Sequence, residues 1–404
     1  MLSRKRRSSA ASMKIKQQPE DFQVEELTDV APGQGPFALY RLEKSGWSTP
    51  DALQAVRRRW RIDLRRLSYG GLKDRHAVTI QYLTIFHGPQ RNLTHQGFTV
   101  RYMGQVPEPY SSKDIRANRF RITLRNLQES QTAEIQEGLE LVRREGVPNY
   151  FDDQRFGSVA PDGEFVGKAL VLGRFEEALR LALAAVYEHD RAPQKREKAI
   201  LREHWGNWTE CSQRLPRFHA RSLVDYLAQH PSDFRGAVAR LRPELRGLYL
   251  SAYQSHLWNR ILARWLEQHC PPDEMMPVEL QLGKVPMHCG LDPGIFAELA
   301  GLVLPLPSAR QKLDPADPRA TLVESVLAEE GLQLSQLQIK GIREMFFSKG
   351  ERAALCLPAD LRWDLEQDEL QPGRQKAILS FDLPRGCYAT LIVKRIQAAA
   401  VTSS

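Results

Sequence analysis

One carboxylate lies among cationic side chains in the segment Gly71-Leu72-Lys73-Asp74-Arg75-His76. Cationic neighbours favour the ionised form of a carboxylate, even where it is partly buried. An ionised aspartate on a loop can act as a nucleophile or as a general base. Asp74 is therefore a candidate catalytic residue, although a Lys-Asp-Arg triplet taken alone is more typical of a solvated surface turn.

Lys16 is a candidate partner for that carboxylate. It precedes a segment in which Pro19 favours an extended chain, and Phe22 and Val24 then point to one face of a predicted strand. An ammonium group beside a buried carboxylate holds it charged. Taken alone, a lysine at this position is more typically solvated.

Aromatic and polar side chains are interleaved in the segment Asn149-Tyr150-Phe151-Asp152-Asp153-Gln154-Arg155-Phe156-Gly157. Aromatic rings stack on nucleobases at about 1–3 kcal/mol each, and amide and guanidinium groups bind base edges or phosphates. The segment is a candidate base-binding loop, and the alternative is a loop whose rings fill a core. Tyr388, just past the tight turn Pro384-Arg385-Gly386, allows the same two interpretations.

Hydrophobic periodicity predicts the elements that must position these candidates. The N-terminal part alternates with the period of strands and carries two helical patterns, the second of which ends at Gly146. The predicted strands are near 22–24, 37–42, 78–86 and 119–124, and the predicted helices are 48–60 and 131–145. Helical spacing then dominates the middle of the chain. The patterns there are helices at 164–187 and 250–265 and a short strand at 278–282.

The end of the chain returns to a strand pattern. Residues 377–383 and 387–396 are predicted to form a hairpin around Pro384-Arg385-Gly386. The order of elements predicts an α+β protein in which both chain ends build one β-rich domain around a mostly helical insertion. The predicted segments are a disordered basic tail at 1–13, a discontinuous domain at 14–158 and 341–404, and an inserted domain at 159–340.

Composition limits the classes of protein that need to be considered. The 404 residues are 42% hydrophobic, which is enough for two domains with cores. The formal net charge is +8, and the run Arg4-Lys5-Arg6-Arg7 supplies four of those charges, so the remaining chain is mildly basic. This balance permits RNA binding without requiring it. The basic run itself is interpreted as a solvated tail, with a nuclear-address-like patch or an RNA-tethering arm as alternatives.

The five cysteines are scattered and never have CxxC spacing. This pattern argues against a disulfide framework and against a zinc site, and it favours a reducing, cytoplasmic compartment. No apolar run approaches the length of a membrane span. The basic N-terminus has no apolar segment behind it and does not match a secretory signal.

Considered together, four segments resemble the TruD family of pseudouridine synthases. GLKDRHAVTIQ at 71–81 resembles the family's G-x-K-D-x-x-A-x-T-x-Q signature, and KQQPEDFQVEE at 16–26 resembles its N-terminal K-x-x-P-x-D-F-x-V-x-E segment. NYFDDQRFG at 149–157 resembles N-Y-F-G-x-Q-R-F-G, and FDLPRGCYATLIV at 381–393 resembles the closing L-P-x-G-x-[FY]-A-T strand. The four occur in the family's order.

The resemblance implies a fold and a set of roles. The fold would be a V-shaped α+β protein, with a pseudouridine synthase core of mixed, mainly antiparallel sheet and flanking helices. An inserted, mostly helical TRUD domain would leave a cleft for RNA. Asp74 would be the catalytic aspartate and Lys16 its basic partner. Substrate-binding or supporting roles in the uracil pocket would fall to Phe151, Asn149, Tyr388, Glu25 and Arg155.

The implied reaction converts a uridine in tRNA to pseudouridine, and the usual substrate of the bacterial family is position 13. No redox change occurs and no group is imported, so the reaction implies neither cofactor nor metal. The implied partner is tRNA. We expect a monomer without an obligate protein partner and without membrane association. Whether Asp74 adds covalently to the sugar or base, or abstracts a ribose proton, stays open.

Asp152 departs from the family pattern, which usually has glycine there. If the position needs a positive backbone dihedral, aspartate tolerates it better than most residues, at some cost. An added carboxylate near the pocket could also oppose RNA, and we expect a slightly shifted loop without loss of activity.

Two other functions compete with pseudouridine formation. One is a noncatalytic RNA-binding protein of the same fold. The other is a glycoside hydrolase or nucleosidase, which needs a second carboxylate such as Glu25 or Asp153. For RNA contacts outside the pocket, Arg119, Arg121 and Arg125 on one strand are candidate phosphate ligands, and an exposed basic face is the alternative.

Overall fold

The structure, a computed structural model, describes residues 13–187, 190–216, 219–342 and 345–402. The predicted tail at 1–13 lies almost wholly outside these ranges. The chain forms two compact units, one from the described residues of Met1–Val147 and Cys356–Ser404 and the other from those of Pro148–Leu355. The units therefore divide at 147/148 and 355/356, whereas the sequence placed the divisions at 158/159 and 340/341.

The described residues contain fifteen strands and twelve α-helices. The strands are β1 (Phe22–Leu27), β2 (Phe37–Lys44), β3 (Leu67–Tyr69), β4 (Val78–Phe86), β5 (Leu93–His95), β6 (Phe98–Val106), β7 (Ala117–Leu127), β8 (Val147–Pro148), β9 (Met275–Leu280), β10 (Gly283–His288), β11 (Val303–Pro305), β12 (Glu351–Ala353), β13 (Leu355–Cys356), β14 (Ala359–Gln367) and β15 (Gln375–Pro384). The helices are α1 (Thr49–Trp60), α2 (Thr132–Glu145), α3 (Val166–Val171), α4 (Phe175–Ala184), α5 (Ala192–Glu203), α6 (Trp208–Arg214), α7 (His219–Gln229), α8 (Phe234–Ala239), α9 (Pro243–His269), α10 (Pro293–Gly301), α11 (Pro318–Glu329) and α12 (Ala389–Thr402).

One large sheet organises the first unit. Its strand order is β14-β15-β7-β1-β4-β2-β6-β5, with β3 beside β4. Strand β1 pairs in parallel with β4, and the other pairs in the sheet are antiparallel. This arrangement confirms the predicted mixed, mainly antiparallel sheet. Because β1 lies between β4 and β7, the sheet brings the first strand of the chain next to the strand that follows the Asp74 loop.

Helix α1 covers one face of this sheet. The Ser48 side chain accepts a hydrogen bond from the Asp51 amide, which caps the helix as the sequence predicted. The buried residues Ala52, Val56 and Trp60 pack in one core cluster with side chains of β2 and β4. The helix therefore begins beside the Asp74 loop and extends along the sheet.

The predicted strand at 387–396 is wrong, because residues 389–396 form the first part of α12. An apolar run with several β-branched residues suits either a strand or a buried helix. The surroundings decide for the helix: a Cβ added to Gly138 of α2 would lie 3.6 Å from the Cβ of Ala399. This is an ordinary van der Waals distance, so α2 and α12 pack against each other at this point. The predicted strand at 377–383 is confirmed as β15, and Gly146 ends α2 at a φ of 67°.

Helices make up most of the second unit. Its longest helix is α9, whose buried side chains include Tyr253, Leu257 and Trp258. The helical pattern at 164–187 is split into α3 and α4, because Gly173 between them has a φ of 72°. The strand predicted at 278–282 corresponds to β9, which pairs antiparallel with β10. None of the helices in the described ranges is both long and apolar enough to cross a membrane.

Candidate active site

Asp74 and Lys16 form an ion pair in the first unit. The Lys16 Nζ donates to Oδ2 of Asp74 at 2.5 Å, and the His76 amide donates to Oδ1 at 2.9 Å. The two side chains are 22% and 31% exposed, so solvent still reaches the pair. Partial burial raises the pKa of Asp74, but the Lys16 ammonium and the His76 amide together lower it below its usual value. The carboxylate is therefore ionised at neutral pH.

Lys16 reaches Asp74 from a strained backbone position. Its φ is 56°, in the left-handed region that residues with a side chain rarely adopt. Two hydrogen bonds between the backbones of Lys14 and Arg125, at 2.8 and 3.0 Å, fix the chain just before it. The Lys16 Nζ also lies 4.2 Å from the ring centroid of Phe22, which is a cation–π contact. Strain of this kind is tolerated where a functional geometry is held by its surroundings.

The loop that carries Asp74 is tied to α1 and β4. The Lys73 amide donates to Oγ1 of Thr49 at 3.0 Å, and this hydroxyl donates to Oε1 of Gln81 at 2.8 Å. The Gln81 amide group in turn donates to the carbonyl of Gly71 at 3.2 Å. Thr49 and Gln81 are fully buried, so these polar groups have exchanged water for the loop backbone. The loop is held on both sides of its catalytic candidate.

Lys44, which was not predicted from the sequence, donates hydrogen bonds to the backbone of the Asp74 loop. Its side chain is 1% exposed, and its Nζ donates to the carbonyl oxygen of Asp74 at 2.8 Å and to that of Lys73 at 3.4 Å. Burial lowers the pKa of Lys44 to about 8, although the nearby Asp74 charge opposes this shift. A period-2 reading of β2 could have found it, because Tyr40, Leu42 and Lys44 share one buried face.

Glu26, and not Glu25, is the buried carboxylate of β1 that contacts the Asp74 loop. Glu26 is 1% exposed and lies 2.8 Å from the Nζ of Lys73, the residue before Asp74. The Lys73 Nζ also donates to Oδ1 of Asn118 at 3.0 Å. Glu25 points to the other face of β1, where it lies 4.0 Å from Arg41. The supporting role expected for Glu25 stays a prediction, whereas Glu26 contacts the loop.

Tyr388 and the arginines of β7 have different surroundings. Tyr388 is half-buried, just before α12, and its carbonyl accepts the amide of Leu391 at 3.1 Å. Arg119 is exposed and pairs with Asp382 through two bonds of 2.8 and 3.0 Å. Arg121 is exposed on the same strand. Arg125 is buried at 2% exposure among carboxylates, so the phosphate contact expected of it is wrong.

Asn149, Phe151 and Arg155 belong to the second unit. The Asn149 side chain donates to the carbonyl of Ala353 at 2.9 Å and accepts from the Arg352 guanidinium at 2.6 Å. Phe151 is 7% exposed, and its ring lies 4.2 Å from the Arg352 guanidinium. The Arg155 guanidinium lies 5.3 Å from the same ring. The motif thus forms an ordered polar and aromatic cluster, and its role in base binding stays a prediction.

Asp152 adopts no left-handed conformation. Its φ is −88° and its ψ is 170°, which any residue can adopt. The backbone therefore gives no reason for a glycine here. The side chain is 2% exposed, so it is packed inside the unit rather than presented to solvent.

The arrangement around Asp74 suits nucleophilic or proton-transfer chemistry by a carboxylate. The Asp74 carboxylate is partly accessible to solvent and accepts hydrogen bonds from two donors. The backbone of its loop is hydrogen-bonded to buried side chains. Within the described residues, no group of three or more His, Cys, Asp or Glu side chains is placed to hold a metal ion. The residues that the structure brings together at this site are Asp74, Lys16, Lys44 and Lys73.

Comparison with known proteins gives a consistent result. The family model described as "tRNA pseudouridine synthase D (TruD)" matches residues 6–286 and 292–396. A protein of Methanococcus maripaludis named "Probable tRNA pseudouridine synthase D 1" is 29% identical over 95% of this chain and 99% of its own length. A protein of Leptospira interrogans named "tRNA pseudouridine synthase D" is 28% identical, with 95% of each chain covered.

A solved structure is similar as well. It is a crystal structure of a Methanosarcina mazei protein described as "Putative tRNA pseudouridine synthase D (TruD)", with a TM-score of 0.72 and 26% sequence identity. The match covers 97% of this chain and 94% of the other. The similarity therefore includes both compact units and is not limited to the segment around Asp74.

Proposed function

The chain belongs to the TruD family of tRNA pseudouridine synthases, and we propose that Asp74 is the carboxylate with which it isomerises uridine in tRNA. We further propose position 13 as the target, and a cytoplasmic monomer as the active form. The isomerase activity follows from the family and its relatives. The residues that perform it are inferred from the geometry of the first unit.

The reaction breaks the N1–C1′ bond of the target uridine, turns the uracil, and rejoins it to the ribose through C5. The base must first leave its stack, at a cost of a few kcal/mol that contacts in a pocket offset. Asp74 then either adds to the sugar or base, or takes a proton from the ribose, and both routes need its ionised form. Atoms balance without any added group, because the product is an isomer of the substrate.

The single observation that carries the proposal is the Lys16–Asp74 ion pair on a loop whose backbone is hydrogen-bonded to Lys44 and Thr49. Lys16 keeps the carboxylate charged, and the His76 amide fixes the second oxygen. The Asp74 side chain stays 31% exposed, which a purely structural buried pair does not need. Because Lys44 and Thr49 hold the backbone on either side, the carboxylate keeps one orientation when a substrate arrives.

Roles in uracil binding are proposed for the aromatic and amide groups that the family motifs carry. Tyr388 in the first unit and Phe151 in the second offer rings on which a base can stack. Asn149 and Arg155 offer donors for uracil oxygens or phosphate. The order of their motifs along the chain, which matches that of the family, supports these assignments.

The test is Asp74→Asn assayed on a tRNA transcript. We expect tRNA binding near that of the wild type and a loss of turnover on the order of a thousandfold or more, because a neutral amide can neither attack nor accept the proton. Pseudouridine and free uracil are measured in the same reaction. Substantial pseudouridine formation by the variant would refute the role of Asp74. Release of uracil by the wild type would indicate a nucleosidase, and tRNA binding without either product would indicate a noncatalytic protein.

A further inference from the structure

We propose that the exposed end of α1 is a second contact surface for the sugar-phosphate backbone of tRNA, outside the uridine site. The surface consists of Arg57, Arg58 and Arg61, and we call it the α1 arginine face. This inference rests on the proposed function in that it takes tRNA as the partner. It adds a binding site that acts on affinity and not on the chemical step.

The positive charge of the chain is concentrated in two short segments. Residues 57–66 hold six arginines and one aspartate, a net +5, and Arg4–Arg7 hold another +4. Since the whole chain has a net charge of +8, its other basic and acidic residues nearly balance. The segment at 57–66 is therefore a strongly basic part of the described chain, and a local excess of this kind attracts phosphate.

The helix points the arginines of this face away from the core. The buried side of α1 is formed by Ala52, Leu53, Val56 and Trp60. At 100° per residue, Arg58 falls on the opposite side and Arg57 on the flank between the two sides, and Arg61 follows at the C-cap with a φ of 55°. All three side chains are exposed.

Two other arginines near the end of α1, Arg65 and Arg66, already have hydrogen-bond acceptors. Asp63 accepts two bonds from the Arg65 guanidinium, at 2.7 and 3.0 Å. Arg66 donates to the backbone carbonyls of Phe86 and His87. Among the described residues, no carboxylate lies within ion-pair distance of Arg57, Arg58 or Arg61. Arg57 and Arg58 donate to the side-chain oxygen and the backbone carbonyl of Gln54, at 3.2 and 3.4 Å. These neutral acceptors leave the positive charges uncompensated, so the three guanidinium groups are available to phosphates.

The helix links this face to the catalytic loop. Thr49 at its first turn accepts the amide of Lys73 at 3.0 Å. At about 1.5 Å per residue, Arg57 and Arg61 lie about 12 and 18 Å further along the axis. Because α1 packs on the sheet, these arginines stand at a fixed distance from the Asp74 loop, and we infer that phosphates near a bound target uridine reach them. The favourable effect of cations at a helix C-terminus is small and accounts for stability alone.

The experiment compares two triple variants of the full chain. The test variant is Arg57→Gln, Arg58→Gln and Arg61→Asn, where asparagine suits the left-handed position. The control is Arg143→Gln, Arg362→Gln and Arg374→Gln, which removes the same charge from other parts of the first unit. Kd for tRNA is measured from low to high salt, and single-turnover pseudouridine formation is measured at saturating tRNA.

We expect the test variant to bind tRNA at least tenfold more weakly, and its slope of log K against log salt to be smaller by about 2–3. Its saturated rate stays within twofold of the wild type, and the control matches the wild type in both. An unchanged Kd and slope, or an equal loss in the control, would overturn the proposal. Because the readout is binding, this failure is separate from failure of the proposed function, which appears as absence of pseudouridine in the wild type.

Discussion

The contact between Lys16 and Asp74 both lowers the pKa of the carboxylate and fixes its orientation. Lys16 donates to one carboxylate oxygen, and the fixed orientation of the pair depends on the left-handed backbone of Lys16. With a neutral group in place of Lys16, only the His76 amide, of the two hydrogen-bond donors to Asp74, still opposes the effect of burial on the carboxylate. Burial raises the pKa, because it disfavours the charged form.

Lys16→Met therefore shifts the pH dependence of the reaction. The folded-state pKa of Asp74 is lowered in the wild type, and its activity persists until the pH falls through that lowered value. In the variant the pKa rises, so the acidic limb of the pH–rate profile moves to higher pH. We also expect a rate loss on the order of a hundredfold at the plateau, because the carboxylate is less well oriented. An acidic limb at the wild-type position would contradict the pairing.

Lys44 acts on the same carboxylate through the backbone. We expect Lys44→Met to lower kcat by roughly tenfold to a hundredfold, because the carbonyls of Lys73 and Asp74 lose their donor and the loop shifts. The Kd for tRNA should not change, since Lys44 is buried. Single-turnover kinetics at saturating tRNA measures the first effect, and a binding titration measures the second. Equal losses in rate and affinity would indicate general unfolding instead.

The lowered pKa of Lys44 gives this variant a second signature. The folded protein releases the proton near pH 8, whereas the unfolded chain keeps it up to its ordinary pKa of 10.5. The unfolded state thus binds more protons in this window, so the wild type gains stability as the pH rises through it. Lys44→Met lacks this gain. Urea unfolding at several pH values should show the stability difference moving in favour of the wild type from pH 8 towards 10.5.

Residue-scale prediction from the sequence reached Asp74 and Lys16 but not the groups beneath them. Asp74 stands out because its neighbours in the chain are charged. Lys44 and Glu26 are ordinary charged residues near strand ends, and their role comes from which face of β2 or β1 they occupy. Alternation indicates that face only when the strand register is known. The roles of Lys44 and Glu26 therefore became visible only from their tertiary contacts with the Asp74 loop.

At the scale of elements, β7 connects distant parts of the first unit through one buried arginine. Arg125 donates to Asp21 at 2.9 Å and to Asp368 at 2.7 Å, and its side chain is 3% exposed. The two aspartates lie on opposite sides of the second unit in the sequence. The backbone at Asn126 has a φ of 65°, where the pairing of β7 with β15 shifts register. This bulge explains why Arg125 is buried while Arg119 and Arg121 of the same strand are exposed.

Arg125→Met should destabilise the first unit by about 3–5 kcal/mol, because it leaves buried carboxylates without their cation. Arg119→Met is the matched control on the same strand. Its ion pair with Asp382 is half-exposed, so we expect a loss of no more than about 1 kcal/mol. Urea unfolding at neutral pH measures both. Similar effects of the two substitutions would show that the Arg125 pairs do not hold the unit together.

Periodicity predicted five of the nine strands of the large sheet together with α1 and α2. It missed β3, β5, β6 and β14, and it gave the wrong structure for α12. Residues 387–396 contain enough β-branched and apolar residues to suit a strand. Their helical form depends on packing against α2, which is far away in the sequence. In contrast, α1 carries its own capping residue and amphipathic face, so its bounds could be predicted locally.

At the scale of the whole chain, the first unit is built from both ends, and the backbone closes on itself where the second unit departs. A Cβ on Gly146 would lie 2.5 Å from the carbonyl oxygen of Cys356, so the two crossing points are adjacent. The sequence placed these crossings at 158/159 and 340/341. Composition does not mark the observed boundaries between the units. They depend on contacts that form only in the folded chain, such as the hydrogen bond of 2.7 Å from the Asn149 amide to the Ala354 carbonyl.

The adjacency predicts that the first unit folds without the second. We expect a chain with residues 148–355 replaced by a short Gly-Ser linker to fold, because closing so small a gap costs little and the sheet, α1, α2 and α12 are all retained. A cooperative urea transition and native-like circular dichroism measure this outcome. Pseudouridine formation should be abolished, because Phe151, Asn149 and Arg155 are removed while Asp74 and Lys16 remain. A folded excision variant that modifies tRNA at the wild-type rate would contradict the roles proposed for the second unit, and an unfolded one would show that the first unit depends on it for stability.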